Sequence, residues 1–280
     1  MMRYFFLVMI VVLFGCHQPE KKVLVKKTVS RADSLQHIRE ENKKLSKKKY
    51  LADSLKQDSA LSKILSYAYA HINSSHFKTE LNLWGDSSLF ATLTFGNTFS
   101  NDKKHLIVQN RVNLYEFNEN VYLLENSKLV NVIKEKIPDL TFVVDSIADV
   151  NGDHQKDFLL NWYPESGCCA RNVFNVYVYV PINGTFTKKY QVINPNFFPK
   201  ERLIRGVGYG HPGEVPLYTY KWNGVKLDTI EYIYPADTLK KKFYRVKNYQ
   251  DLNNPKKRQT LSSIPKEYKI IDAYDWFINY

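Results

Sequence analysis

The sequence has few cysteines, no glycine-rich phosphate-binding motif and no apolar run of membrane-spanning length. Three cysteines in 280 residues are too few for a small scaffold held together by disulfides. The Rossmann and P-loop glycine patterns are missing, as is the Gly-x-Ser-x-Gly elbow of serine hydrolases. The apolar run at residues 4–14 is shorter than the roughly 20 residues that a transmembrane helix needs. The short apolar run therefore excludes a multi-pass membrane protein, and the missing glycine patterns give no reason to predict nucleotide binding.

Positive charge is concentrated at the two ends of the chain. The formal net charge is +12. Residues 20–66 carry 13 Lys and Arg against 6 Asp and Glu, and residues 236–280 carry 10 against 5. Residues 67–235 carry 16 against 17 and are therefore nearly neutral. Because the middle of the chain lacks a basic surplus, we do not predict nucleic acid as a partner.

Residues 1–15 have the layout of a secretory signal peptide, in which a basic residue, Arg3, precedes a short apolar run. The segment Leu13-Phe14-Gly15-Cys16 resembles the lipobox of bacterial lipoproteins. This resemblance implies that Cys16 is the acylated first residue of the mature chain, anchored in the membrane of the cell envelope. His17 follows in place of Asp, which by the sorting rules of such lipoproteins favours the outer membrane. The alternative is an ordinary signal peptide that ends near a chance cysteine.

The chain divides into three further segments after the signal peptide. Residues 16–50 are polar and rich in lysine, and they predict a basic tether that cannot bury enough apolar surface to fold alone. In residues 51–77, apolar side chains recur at helical spacing, which predicts an amphipathic helix docked on the following domain. Residues 78–280 predict a β-rich domain.

Short runs of alternating apolar residues, separated by turns, predict the strands of this domain. The absence of long helices between them predicts a mainly β fold of antiparallel sheets, as a sandwich, a barrel or a partial propeller. The strands expected from this pattern are Thr79–Trp84, Leu89–Phe95, His105–Gln109, Val112–Phe117, Val121–Glu125, Lys128–Lys134, Leu140–Ile147, Phe158–Tyr163 and Val173–Val180.

Two hairpin turns and a C-terminal segment complete the expected topology. Asn118-Glu119-Asn120 lies between two alternating segments and predicts a turn. Asn223-Gly224 supplies the positive φ angles of a type I′ turn and predicts a second hairpin. Residues 236–269 are expected to be basic loops, and residues 270–280 a closing strand or a docked tail.

Residues 149–157 place an oxygen-bearing side chain at every second position, which predicts a calcium loop. Ca²⁺ binds six to eight oxygen ligands at roughly 2.3–2.6 Å, and crowded carboxylates repel one another unless a cation neutralises them. The alternative is an Asx-rich turn without an ion. Leu160 at position 12 rules out an EF-hand. The expected ligands are the side chains of Asp149, Asn151, Asp153 and Asp157 and the backbone carbonyl of Gln155.

Residues 149–157, followed by the apolar Phe158-Leu159-Leu160, resemble the Asp-x-Asn-x-Asp loops of FG-GAP-type propeller repeats. After this loop come a strand at 175–179, the segment Asn194-Pro195-Asn196-Phe197 and the glycines at 206–210. This succession of segments is similar to that of bacterial periplasmic lipoproteins with one calcium loop. This resemblance implies a propeller-like fold. It also implies a kinship with lysozyme-inhibitor-like lipoproteins, some of which protect cells from peptidoglycan-cleaving enzymes.

The neighbouring Cys168 and Cys169 form a candidate disulfide, because an exported protein meets an oxidising compartment. A strained vicinal disulfide would be readily reduced and could sense redox conditions. The alternative is a pair of buried small residues.

The sequence thus favours a lipid-anchored binding protein of the cell envelope with a structural calcium loop and a protein partner, such as a peptidoglycan-cleaving enzyme that it inhibits. Two alternatives remain. One is a redox-sensing lipoprotein that uses the paired cysteines. The other is an envelope glycan hydrolase with two catalytic carboxylates, to be drawn from Asp145, Asp149, Asp153 and Glu165.

Overall fold

A single long helix, α1 (Arg31–Ala70), precedes the sheets in the computed structural model. The structure describes residues 31–85, 89–113, 116–138, 141–163, 172–237 and 241–278. Residues 31–70 contain neither proline nor glycine and are rich in the helix-forming Ala, Leu, Lys, Glu and Gln. The helix therefore begins well inside the segment expected to be a tether, and it ends seven residues before position 77.

The chain divides into two compact units, residues 1–51 and 52–280. In the described part of the first unit, Leu35, Ile38 and Leu45 are 49%, 52% and 69% exposed, so this stretch of helix has no buried face. In the second unit, Ala60, Ile64 and Ala68 recur every four residues and are buried because they pack on the first sheet. Within the described residues, no helix combines the length and apolar character needed to cross a membrane.

The described residues of the second unit form three antiparallel sheets of five, four and six strands and a two-stranded ribbon. Each of the two larger sheets is a meander of consecutive strands, β1 to β5 and β12 to β17. The four-stranded sheet has the order β11-β8-β7-β6, and β9 pairs with β10. The strands are β1 (Phe77–Asn82), β2 (Phe90–Gly96), β3 (His105–Asn113), β4 (Glu116–Glu125), β5 (Lys128–Pro138), β6 (Phe142–Ala148), β7 (Asp157–Trp162), β8 (Val173–Tyr177), β9 (Tyr179–Val180), β10 (Thr185–Phe186), β11 (Tyr190–Ile193), β12 (Pro195–Phe198), β13 (Leu203–Val207), β14 (Leu217–Asn223), β15 (Lys226–Pro235), β16 (Phe243–Val246) and β17 (Gln259–Leu261).

The predicted mainly β fold with antiparallel sheets is confirmed. The described residues form no closed barrel or propeller. Instead, the core consists of four hydrophobic clusters between successive layers. These lie between α1 and the first sheet, between the first and second sheets, between the second and third sheets, and between the third sheet and the C-terminal segment. Alternating side chains of a strand face opposite sides of its sheet. In the middle sheet, β7 is buried on both sides, at five of its six positions.

Of the two expected hairpin turns, the first is absent from the structure and the second is present with a different turn type. Asn118-Glu119-Asn120 is not a turn, because β4 runs unbroken through it and Glu119 pairs with both neighbouring strands. The strands β14 and β15 do meet at Asn223-Gly224, but Asn223 pairs with Lys226. Gly224 and Val225 are therefore the two central residues, and only Gly224 has a positive φ, of 59°. This pattern belongs to a type II′ turn and not to the expected type I′ turn.

The C-terminal region is more regular than its basic composition suggests. Residues 236–269, expected to be loops, contain the strands β16 and β17. The chain then forms a short helix, α2 (Tyr274–Ile278), whose Phe277 is fully buried. Residues 270–278 are thus a docked helical tail, one of the two expected outcomes.

Candidate functional site

The predicted metal loop connects β6 to β7 and bends through two residues with left-handed backbone conformations. Gly152 has a φ of 74° and His154 a φ of 68°. Glycine adopts this conformation at no steric cost, whereas histidine adopts it with some strain. The result is a tight loop whose polar side chains bend back onto their own backbone.

The side chains of the first three expected ligands accept hydrogen bonds from the loop backbone. The Asp149 carboxylate accepts from the amide of Gly152 at 2.6 Å and from that of His154 at 2.9 Å. Asp153 accepts from the amide of Gln155 at 2.8 Å, and Asn151 accepts from the amide of Asp153 at 3.3 Å. The bonds of Asn151 and Asp153, each from the amide two residues later, are those of Asx turns, whereas Asp149 accepts from amides three and five residues later.

Asp157, the first residue of β7, differs from the other expected ligands because it is fully buried. One carboxylate oxygen accepts from the amide of Val150 at 2.9 Å, and the other accepts from the amide of Tyr179 at 2.9 Å. Burial raises the pKa of Asp157 to about 7, and the nearby carboxylates of Asp153 and Asp149 also raise it, while the two amide bonds lower it. The loop therefore holds a charge that its surroundings disfavour.

The same loop also contacts the third sheet. The side-chain amide of Asn151 donates to the backbone carbonyl of Gly224, in the β14–β15 turn, at 3.3 Å. A Cβ atom at Gly152 would overlap the carbonyl oxygen of Pro199, which follows β12. The loop therefore contacts two segments of the third sheet and joins the second sheet to it.

The donor chemistry of the loop suits a hard cation. Carboxylate and amide oxygens that accept one hydrogen bond keep a second lone pair for a metal. No Lys, Arg or His side chain among the described residues hydrogen-bonds to the carboxylates of Asp149, Asp153 or Asp157. However, the described residues contain no group of three or more His, Cys, Asp or Glu side chains placed to hold a metal ion. Calcium binding at this loop therefore stays a prediction.

Several predicted residues lie outside the described part of the chain. They include the signal peptide, the lipidation site Cys16, the paired Cys168 and Cys169, and Glu165. Of the carboxylates considered for catalysis, Asp145 lies on β6 and is half-buried.

A second carboxylate group lies between the first two sheets and was missed at the sequence level. Glu119 of β4 is 1% exposed, and one of its oxygens has no hydrogen-bond partner. The other accepts from the Gln109 amide at 3.3 Å. Burial raises the pKa of Glu119 well above its usual value, and Asp145 across the sheet interface adds to the shift. Because Glu119 is closed to solvent, a glycosidic bond cannot reach its carboxylate in this conformation. The electrostatic interaction of Glu119 with Asp145 therefore bears on the stability of the fold.

Glu135 of β5 binds the same two sheets together through a more complete set of partners. Its carboxylate accepts hydrogen bonds from the Tyr177 hydroxyl and from Lys189 at 3.0 Å. The Asn175 amide also approaches it, at 3.5 Å. The polar residues within β4 and β5 were the available signal for these interfacial carboxylates, but such residues are equally typical of a solvated sheet face.

Comparison with known proteins identifies no relatives. The chain matches no protein-family model, and no curated protein or solved structure matches it. The function therefore has to be argued from the residues themselves.

Proposed function

We propose that the protein is a lipid-anchored binding protein of the bacterial cell envelope, in which the Asp149–Asp157 loop binds Ca²⁺ and stabilises a surface for a protein partner. The observation that carries this proposal is the loop itself. Three carboxylates lie in one loop, and no basic side chain of the described residues hydrogen-bonds to them. Burial and mutual repulsion raise the pKa of Asp157 to about 7. A divalent cation would relieve that repulsion.

The cation would be held by Asp149, Asn151, Asp153, the carbonyl of Gln155 and Asp157. Its role would be structural, because the loop joins the second sheet to the third through Asn151 and through the close approach of Gly152 to Pro199. Neutralising the loop would therefore hold neighbouring loops of two sheets in one fixed arrangement.

The sequence before the sheets supports the anchored part of the proposal. The lipobox-like segment at Leu13–Cys16 would attach the chain to the outer membrane. The exposed polar helix at residues 31–51 is about 30 Å long and would serve as a spacer. Replacing Cys16 with Ser should move the protein from the membrane fraction to the soluble fraction and abolish palmitate incorporation.

Calcium binding can be measured directly on the full chain. We expect isothermal titration of chelator-treated protein with CaCl₂ to show one saturable site, which Asp149→Asn combined with Asp153→Asn abolishes. Asp237→Asn is a matched control, since exposed Asp237 also accepts a local backbone hydrogen bond, from Lys241 at 3.1 Å. Equal calcium binding by the double variant and the native protein would reject this loop as the site.

As the partner we propose a peptidoglycan-cleaving enzyme, which is what the lipoprotein resemblance implies. The full chain should slow the release of glycan fragments from purified peptidoglycan by lysozyme, and the calcium-loop double variant should do so less effectively. Unchanged lysozyme activity at saturating protein would reject this partner. Release of fragments by the chain alone would instead favour the glycan hydrolase alternative.

A further inference from the structure

A groove of about 430 Å³ lies beside the loop that joins β13 to β14. It takes no part in the calcium loop or the anchor. Three tyrosines border it, Tyr209 from this loop, Tyr234 from the end of β15 and Tyr249 from the segment after β16. The rest of its lining is Gly208, Gly210, His211, Glu214, Val215 and Pro216.

Two of the three tyrosines of this groove are more than half exposed, and Tyr234 is partly buried. Tyr209 is 54% exposed and Tyr249 is 66% exposed. The rings of Tyr234 and Tyr249 are in contact, with centroids 6.0 Å apart and planes tilted by 59°. Single exposed aromatic residues are common, but several around one groove mark a binding surface. Tyrosine also suits such a surface, because it offers a large apolar ring with few rotatable bonds and a hydroxyl group.

The loop that presents Tyr209 is held in place by hydrogen bonds. The amide of Gly208 donates to the carbonyl of Pro216 at 2.8 Å. Trp276 of α2 donates through its indole N–H to the carbonyl of Gly210 at 3.0 Å, and its own carbonyl accepts from the amide of Gly213 at 2.9 Å. Because the loop is already ordered, a ligand would not have to order it on binding.

Glycine is required at the tightest point of this loop. Gly210 has a φ of 142°, and a Cβ atom there would lie 2.7 Å from a methyl carbon of Val215. At Gly208, a Cβ atom would lie 2.9 Å from the ring of Pro216. The two glycines therefore allow this segment to pack closely against Val215 and Pro216, while the side chain of Tyr209 between them stays exposed.

We propose that this groove binds a chain of β-1,4-linked N-acetylhexosamine. Such a chain is a flat ribbon whose C–H faces stack on aromatic rings, which fits the exposed Tyr209 and Tyr249. Each sugar carries an acetamide N–H that can donate to the exposed Glu214 carboxylate and a methyl group that can pack on the half-buried Pro216. A proline-rich peptide also fits aromatic grooves, but it carries an N–H only at its non-proline positions, whereas every N-acetylhexosamine unit carries one.

The test is calorimetric titration of the full chain, in a detergent without a sugar headgroup, with the hexamer of β-1,4-linked N-acetylglucosamine. We expect saturable binding with a Kd below about 1 mM. Tyr209→Ala and Tyr249→Ala should each weaken it by about tenfold or more, while Tyr249→Phe retains the ring and most of the affinity. Binding should persist in the presence of a calcium chelator, which separates this site from the calcium loop.

Tyr50→Ala is the matched control, since Tyr50 is 78% exposed on α1 and lies far from the groove in the chain. Its affinity for the hexamer should equal that of the native protein. Three results would overturn the proposal: no saturable binding of the hexamer up to about 10 mM, unchanged binding in both alanine variants, or tighter binding of a proline-rich decapeptide or of maltohexaose.

Discussion

The carboxylate of Asp157 in β7 accepts a hydrogen bond from the backbone amide of Tyr179 in β9 at 2.9 Å. Its second oxygen accepts from the amide of Val150 at 2.9 Å. A single buried side chain thus accepts hydrogen bonds from two backbone amides, one in the β6–β7 loop and one in β9. Asp157 is therefore important for the fold independently of whether the loop binds a cation.

Removing this carboxylate should destabilise the protein. Asp157→Ala leaves two buried amides without acceptors, and we expect a loss of about 2–4 kcal/mol in the free energy of unfolding. Asp157→Asn keeps one acceptor and removes an unfavourable buried charge, so it should cost less than half as much. Urea denaturation of the full chain measures both values.

Asp237→Ala provides the control for this series, because Asp237 is exposed and should change the free energy of unfolding by no more than about 0.5 kcal/mol. If Asp157→Ala lay within about 1 kcal/mol of the native protein, the two amides would have to find other acceptors, and the role assigned to Asp157 would be wrong.

Gly152 should tolerate no side chain. Gly152→Ala adds a methyl group that overlaps the carbonyl oxygen of Pro199, at a φ of 74°. Gly85→Ala is a matched control, since Gly85 has a φ of 76° with no atom near the added Cβ. Both variants carry the backbone strain of about 1–2 kcal/mol, so only Gly152→Ala adds the steric cost.

We expect Gly152→Ala to be less stable than Gly85→Ala by about 2 kcal/mol in denaturation experiments. Equal stabilities would show that the loop does not press against the segment at Pro199. That outcome would also weaken the argument that the loop joins the second sheet to the third.

The raised pKa of the buried Glu119 predicts how the stability of the protein depends on pH. Burial and the carboxylate of Asp145 raise the pKa of Glu119 in the folded protein above its unfolded value of about 4.3. The protonated form is therefore favoured by folding. Its stabilising contribution is fully present below about pH 4.3 and is lost as the pH rises through the raised pKa.

Glu119→Gln should accordingly reduce the fall in stability as the pH rises above about 4.3. The glutamine is neutral throughout and keeps an oxygen for the Gln109 amide, which lies 3.3 Å from the native carboxylate. Denaturation midpoints at several pH values measure the slope, with exposed Glu125 changed to Gln as the control. A slope equal to that of the native protein would rule out Glu119 as a contributor.

The fold class was predictable from the sequence because it follows from local patterns. Short alternating runs and the absence of long helices after Ala70 indicate antiparallel sheets, and Asn223-Gly224 locates a hairpin. Helix α1 was underestimated because a polar lysine-rich segment is equally typical of a disordered tether. Its good helix formers decide the local structure where no proline or glycine interrupts them.

The errors arose where long-range pairing overrides local preference. Asn118-Glu119-Asn120 has the composition of a turn, but Glu119 pairs with Gln109 on one side and Glu135 on the other. Because these residues were assigned to a turn, the carboxylates between the first two sheets were missed. The basic residues after position 236 likewise concealed β16 and β17, although Phe243 and Val246 of β16 are buried.

The most direct test of the proposed function is the thermal unfolding of the full chain with calcium and with a chelator. At calcium concentrations about 100-fold above Kd, binding should add about 2.7 kcal/mol to the free energy of unfolding, which corresponds to a rise in Tm of about 5–10 °C. The variant that combines Asp149→Asn with Asp153→Asn should show no such rise. Superimposable unfolding curves of the native protein with calcium and with chelator would contradict a structural calcium ion in this loop.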